Sequence, residues 1–272
     1  MKRKTIKKVI EAKVESWLKS IEDKKLADDI RENSIVTGGC FTSMLLKEDV
    51  NDYDIYMGSY NLAYRVALYY LGVFKKLNPG LAKDAEVRRE DGVVSIFVKS
   101  QGILKAESAG EKDSYSPIFI SGNAITLSGD IQVILRFYGT PDEIHKNFDF
   151  VHCTNYYETG KGGLVLRPEA LESISAKDLV YKGSLYPVCA VIRTRKFLSR
   201  GWSVSAGTYL KILLQVSDLN LKDIDTLRDQ LVGVYSAHFD MVIQAMVKKK
   251  EGDPLFELNN AYLFEVIDRV FG

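Results

Sequence analysis

Cysteine and histidine are scarce in this chain. Its 272 residues include three cysteines, Cys40, Cys153 and Cys189, and three histidines, His145, His152 and His238. No C-x-x-C pair occurs, which excludes a thiolate zinc site of the usual spacing, and three widely separated thiols do not build a disulfide framework. They suit reduced thiols in a cytosolic protein. No H-x-x-x-H pair occurs either, which argues against a histidine-based metal site. A charge excess is also missing: 37 Lys and Arg stand against 36 Asp and Glu, a formal net charge of +1. Nucleic acid is thereby permitted as a partner but not demanded, because a dedicated binder carries a larger basic surplus. Long apolar runs are absent as well. The basic start MKRKTIKKVIEAKVESW leads into no signal-peptide core, and no stretch approaches the length of a membrane span. Together these absences predict a soluble cytoplasmic protein with no membrane partner.

What is present is enough apolar side chain for a proper core, 46% of the residues, and a length that suits one large domain or two modest ones. Ile6, Val9, Ile10, Val14, Trp17, Leu18 and Ile21 recur at helical spacing, so a helical region is expected over residues 5 to 32. A short strand, Ser34 to Thr37, precedes Gly38-Gly39, a short helix over Cys40 to Lys47, a turn, and a strand over Tyr53 to Met57. Asn61 to Lys76 is helical in pattern. The texture then becomes β-rich, with strands expected over Val93 to Lys99, Ile118 to Ile120, Ala124 to Leu127, Ile131 to Tyr138 and Phe148 to Tyr157. Beyond Gly160-Lys161-Gly162-Gly163 it turns helical, over 168 to 181, 187 to 200, 205 to 216, 221 to 249 and 260 to 271. The predicted class is α+β: a mixed sheet flanked by helices in residues 1–160, followed by an all-helical domain in residues 161–272 that would close over a cleft.

The stretch that carries chemistry is Val36-Thr37-Gly38-Gly39-Cys40-Phe41-Thr42-Ser43 with Asn51-Asp52-Tyr53-Asp54-Ile55-Tyr56. Two glycines between a strand and a helix allow a tight turn and close approach of a ligand. The helix they open offers free N–H groups and the positive end of its dipole to a phosphate, and Ser43 and Thr42 add hydroxyls. Asp52 and Asp54, two residues apart in extended chain, fall on one face at a Cα separation of roughly 7 Å. That spacing lets both reach hard cations such as Mg²⁺. Taken singly, Asp52-Tyr53-Asp54 also suits a solvated turn into an edge strand, and Gly38-Gly39 a mere tight turn; the joint spacing favours the chemical reading.

This arrangement resembles the DNA polymerase β-type nucleotidyltransferase superfamily, in which a hydrophobic residue and Gly-Gly or Gly-Ser precede a short helix and then Asp-hydrophobic-Asp on a strand. The twelve residues between Gly39 and Asp52 fit that family's spacing. The likeness is firm over residues 34 to 57 and loose to about 157. It implies NTP as substrate, with its β and γ phosphates on Gly38, Gly39 and Ser43. It also implies two Mg²⁺ ions (Mn²⁺ being able to stand in) on Asp52 and Asp54, and a third carboxylate on a neighbouring strand.

Asp149, set between Phe148 and Phe150, is the leading candidate for the third metal ligand and catalytic carboxylate, because an acidic residue in an apolar strand is costly unless paired or metal-bound. Asp130, in Ser128-Gly129-Asp130, is the alternative, although it has the look of a hairpin residue. The resemblance further assigns Arg193 and Lys196, on a basic segment running to Arg200, to the triphosphate; a solvated helix face fits them equally well. The implied reaction moves an NMP from an NTP to an acceptor hydroxyl with release of pyrophosphate. The acceptor, an RNA or tRNA end, a protein or a small molecule, stays open. So does a catalytically inactive form of the same fold that binds a nucleotide or a protein partner.

Overall fold

The computed structural model describes residues 1–90, 92–98, 103–106, 111, 114–231, 234 and 237–272. Helix α1, Arg3–Ser20, buries Ile6, Ile10, Val14, Trp17 and Leu18, the face its periodicity marks. The expected helical region of residues 5–32 breaks after Ser20, because Asp23 caps a second helix, α2 (Lys24–Glu32), by accepting from Leu26 N at 2.9 Å. A capping carboxylate of this kind satisfies an otherwise orphaned N–H and so favours a new helix start.

The chain continues through β1 (Ser34–Thr37), α3 (Gly39–Leu46), β2 (Tyr53–Met57) and α4 (Tyr60–Leu77). The hairpin β3–β4 (Ala85–Glu90 and Val93–Val98) follows, then β5 (Ile103–Lys105), β6 (Pro117–Ser121), β7 (Ala124–Leu127) and β8 (Ile131–Tyr138). A short helix α5 (Pro141–His145), closed by a Thr140–Glu143 capping box, leads on to β9 (Tyr156–Glu158), β10 (Gly163–Val165) and α6 (Pro168–Ala176). Five helices complete the described residues: α7 (Pro187–Leu198), α8 (Ala206–Ser217), α9 (Ile224–Leu231), α10 (Ala237–Gly252) and α11 (Asn260–Phe271). Lys99 of the strand expected over Val93 to Lys99 lies outside the described residues, as do positions 232, 233, 235 and 236 of the helix expected over 221 to 249.

Eight strands form one sheet in the order β10-β9-β1-β2-β8-β7-β6-β5, while β3 and β4 pair by themselves. The pair β2–β8 is parallel, and the other recorded pairs of the large sheet are antiparallel. The protein is therefore α+β, a mixed sheet flanked by helices with a helical C-terminal region, as the sequence predicts. Alternation sorts the central strands: Val36, Ile55, Met57, Ile131, Val133 and Leu135 enter the main core with α1 and α4. Ile35, Tyr56 and Ile134 pack on the opposite face with Ile144.

Contacts divide the chain into two units, one of Met1–Phe148 and His152–Ile174, the other of Asp149–Val151 and Ser175–Gly272. The sheet thus runs past residue 160, the expected boundary, because β10 pairs with β9. The strand expected over Phe148 to Tyr157 is a correction: only Tyr156–Glu158 is strand. Ahead of it, Phe150 makes an isolated bridge with Tyr181 and Val151–Cys153 form a 3₁₀ turn. The helix expected from 168 to 181 stops at Ala176, where Lys177 takes a left-handed φ of 50°. Among the described residues, no helix is long and apolar enough to cross a membrane.

Candidate functional site

Gly38 ends β1 with φ 91° and ψ −154° and serves as N-cap of α3. A side chain is strained at that φ, and it would also lack room. A Cβ on Gly38 would overlap Asp54 Oδ2 and lie 3.3 Å from Asp54 Cγ. The carboxylate of Asp54 therefore sits directly against the glycine turn. Gly38 N donates to Cys153 O at 3.1 Å, so the amides left for a ligand are those of the first helical residues after it. Around Gly39 the space is open: a Cβ there would meet no described atom within 4 Å.

Asp52 joins this group from the residue before β2. Its proximity shows in Cys40, whose thiol pKa is pushed well up by burial first, then by the charge of Asp54, then by that of Asp52. Both carboxylates thus act on the first turn of α3. Asp54 is half-buried and Asp52 exposed. Ser43 is buried within α3, and Thr42 Oγ1 is committed to His152 O at 3.1 Å.

The residues beside Asp54 on the sheet are set by register. On β1 its partner is Thr37. On β8, the parallel neighbour, its partner is Gln132. Neither position carries a charge. Gln132 donates through Nε2 to Thr126 Oγ1 at 3.4 Å, on the next strand. Thr37 belongs to a buried polar hub. Its hydroxyl lies 2.8 Å from Asn155 O, 3.2 Å from Cys153 O and 2.8 Å from His145 Nε2. A hydroxyl has one proton to give, and the carbonyls can only accept it. His145 Nε2 therefore carries the proton that reaches Thr37, and Nδ1 is the bare nitrogen. Nδ1 is buried and without a hydrogen-bond partner among the described residues. Burial, and after it the charge of Arg167, push the His145 pKa down to about 4, with Asp142 opposing. The imidazole is neutral at pH 7.

Asp130 occupies the β7–β8 turn with φ 62°. Its carbonyl accepts from Tyr53 N at 2.8 Å, and its carboxylate lies 3.9 Å from Lys13 Nζ. Lys13 in turn stands 5.3 Å over the Tyr53 ring. Tyr53 belongs to the main core, so this carboxylate is on the side of the sheet away from Asp54.

Asp149 belongs to the second unit and is not on a strand. It is buried, and both of its oxygens are engaged there: Oδ1 accepts from Ser184 Oγ at 2.6 Å, and Oδ2 pairs with Arg193 of α7. A role for Asp149 on a metal, or for Arg193 on a triphosphate, requires this ion pair to open. Lys196 is exposed on α7. Among the described residues there is no group of three or more His, Cys, Asp or Glu placed to hold a metal ion. Asp52, Asp54 and Gly38 come together, then, while Asp130 and Asp149 are occupied elsewhere. Thr37 and Gln132, which flank Asp54, are the residues that sequence reasoning passed over. Thr37 stood within the motif, whereas Gln132 had no signal of its own.

The model of the Gabija anti-defense 2 protein family matches residues 8–177, more than half of the chain, and the protein belongs to that family. The matched stretch contains Gly38, Asp52, Asp54 and Gln132. "Gabija anti-defense 2" of Bacillus phage SPbetaL7 is 21% identical over 232 residues, covering 85% of this chain and 48% of the phage protein. The chain therefore spans about half the length of that curated relative. Solved structures with a distant likeness include the Bacillus stearothermophilus CCA-adding enzyme in complex with CTP, at 13% identity and a TM-score of 0.44, covering 90% of this chain and 49% of that one. The Thermotoga maritima CCA-adding enzyme complexed with tRNA is another, at 13% identity and a TM-score of 0.41, covering 94% of this chain and 53% of that one.

Proposed function

We propose that the protein is a metal-dependent nucleotidyltransferase, which binds an NTP on the β1–α3 turn and moves its NMP to an acceptor hydroxyl. The observation that carries this reading is the packing of Asp54 against Gly38, with Asp52 beside it, at the N-terminus of α3. A glycine turn that opens a helix presents N–H groups and a positive dipole end to phosphate. Paired carboxylates next to it suit a divalent cation carried by that phosphate, since Mg²⁺ is commonly held by one or two carboxylates plus phosphate oxygens and water. Mg²⁺ bound there would neutralise phosphate charge, which is the main help this reaction needs.

The remaining roles fall to the chain itself. The first amides of α3, with Ser43, would orient the β and γ phosphates. Asp52 and Asp54 would hold the divalent cation that the triphosphate carries, and so keep the nucleotide in place beside the glycine turn. The acceptor oxygen forms its bond to phosphorus as the bond to pyrophosphate breaks, and the hydroxyl proton leaves to solvent. RNA or tRNA ends, proteins and small molecules are the acceptor classes in view. Arg193 enters this scheme as a triphosphate ligand, and Asp149 as a metal ligand, only if the Asp149–Arg193 pair opens; Lys196, exposed on α7, is assigned to the triphosphate without that condition.

Family membership supplies the setting. The phage relative is named for anti-defense, and we assign this chain the same role, with the nucleotide site as its working part. Incubation with each α-³²P-labelled NTP and Mg²⁺, with RNA and cell extract as acceptor pools, tests the chemistry. Label is expected in one pool with the wild type and in none with Asp52→Asn/Asp54→Asn. The same variant should fail to protect a phage on a Gabija-carrying host. Full protection by a folded Asp52→Asn/Asp54→Asn protein would instead favour the second reading, a non-catalytic partner-binding protein.

A further inference from the structure

Asp54 lies between two strands that offer it no second carboxylate, and this fixes how much metal the site can hold. On one side stands Thr37, whose hydroxyl is taken up by Asn155, Cys153 and His145. On the other stands Gln132, in parallel register with Asp54 and on the same face of the sheet. Neighbouring strands are about 4.8 Å apart, so position 132 is where a further ligand on the sheet would have to come from. It carries an amide, neutral and joined through its nitrogen to Thr126. Asp130, two residues earlier, faces Lys13 on the opposite side.

Two cations about 4 Å apart repel strongly unless shared anionic oxygens bridge them. The phosphates of an NTP bring their own charge to the ion that travels with them, and Asp52 and Asp54 complete its coordination. A second ion, on the acceptor side, would draw chiefly on carboxylates of the sheet, and there position 132 supplies an amide instead. The expected pair of metal ions therefore does not fit this donor set among the described residues, and a single ion does.

We infer that the site takes its nucleotide with one divalent cation rather than two, and that Gln132 is the residue that sets this number. The inference rests on the nucleotide-binding reading above and narrows it. The protein would hold a metal–NTP complex firmly, while an acceptor hydroxyl would find no second ion to lower its pKa. Slow transfer follows, with the nucleotide retained for long periods. Gln132→Glu changes an amide to a carboxylate of nearly the same shape and supplies the missing charge.

The test counts bound Mn²⁺ by electron paramagnetic resonance in the presence of saturating α,β-methylene ATP, which cannot undergo the transfer. About one analogue-dependent ion per chain is expected for the wild type and about two for Gln132→Glu, with circular dichroism melts to show that both are folded. If the glutamate side chain turns outward, Gln132→Asp, with its shorter reach, repeats the measurement. Two ions in the wild type, or one ion in both folded carboxylate variants, overturns the inference and leaves the nucleotide site standing. Absence of analogue-dependent Mn²⁺ from every protein overturns the nucleotide reading, and the inference with it.

Discussion

Asp54 occupies the space that a side chain at position 38 would need. Only glycine satisfies both that contact and the φ of 91°. The two demands have different consequences. A backbone at φ 91° and ψ −154° is essentially reserved for glycine and costs another residue on the order of 1–3 kcal/mol. The overlap is with the carboxylate end of a short side chain, which can give way only by leaving the position from which it would meet a cation. Gly38→Ala should therefore lower stability by about 1–3 kcal/mol in urea unfolding and abolish metal-dependent nucleotide binding. Gly39→Ala is the control: its Cβ meets nothing within 4 Å, so binding should change by less than about threefold. Equal effects of the two substitutions would contradict this account.

The local parts of this site are legible in the sequence because glycine turns, caps and strand alternation act over a few residues. Gly38, Asp52 and Asp54 lie within such reach, as do the strands of the central sheet. What flanks Asp54 is not legible in this way. Its neighbour β8 arrives 78 residues after it, at Gln132, and nothing local fixes the register of a parallel pair. Asp149 shows the complementary limit. An acidic residue among phenylalanines signals a costly burial that something must offset. The signal is sound, but it does not say whether the partner is a metal or Arg193, which comes from a helix 44 residues on. His145 carries no sequence signal for its place in the hub, because its bond to Thr37 spans 108 residues and leaves no spacing to recognise.

The His145 hub makes stability depend on pH. The imidazole is neutral when folded, with a pKa of about 4 against an ordinary 6.5. Between those values the unfolded chain takes up a proton that the folded chain does not, so stability rises with pH across that window. The stabilisation is complete above pH 6.5 and is lost as pH falls toward 4. Between pH 7 and 5 the wild type should lose on the order of 2 kcal/mol from this group. His145→Gln keeps an N–H for Thr37 and does not titrate, so its urea midpoint should fall much less over the same range. Parallel pH profiles for the two proteins would remove His145 as the cause. Asp142 and Arg167 face the ring and belong in the comparison, but their ion pair persists over this range because Arg167 holds the Asp142 carboxyl below its usual value.

The cysteines offer a probe of the site that needs no nucleotide. Cys40 is buried against Asp52 and Asp54, and both factors keep its thiol protonated. Cys189 is buried as well, whereas Cys153 is partly exposed. Since the thiolate is the reactive form, iodoacetamide at pH 8 should label Cys153 first and leave Cys40 and Cys189 unmodified in the folded protein, as read by peptide mass spectrometry. Early labelling of Cys40 would mean that the first turn of α3 opens and that the carboxylates do not stand where the structure places them.

Asp149 and Arg193 make an asymmetric pair, and the asymmetry can be measured. The side chain of Asp149 is 4% exposed and that of Arg193 is 35% exposed. Removing the guanidinium strands a buried carboxylate, for which a penalty of about 3–5 kcal/mol is typical. Neutralising the carboxylate leaves a cation that water can reach, at a cost nearer 1–2 kcal/mol. Arg193→Ala should therefore destabilise more than Asp149→Asn, in which the side-chain oxygen can still accept from Ser184. Nucleotide affinity separates structure from chemistry. If the pair only holds the second unit together, a folded Asp149→Asn protein binds Mg²⁺–ATP as the wild type does. If Asp149 leaves Arg193 to ligate the metal, affinity drops by tenfold or more, about 1.4 kcal/mol, while the stability cost stays small. The first outcome is expected, because both carboxylate oxygens are already satisfied without a metal.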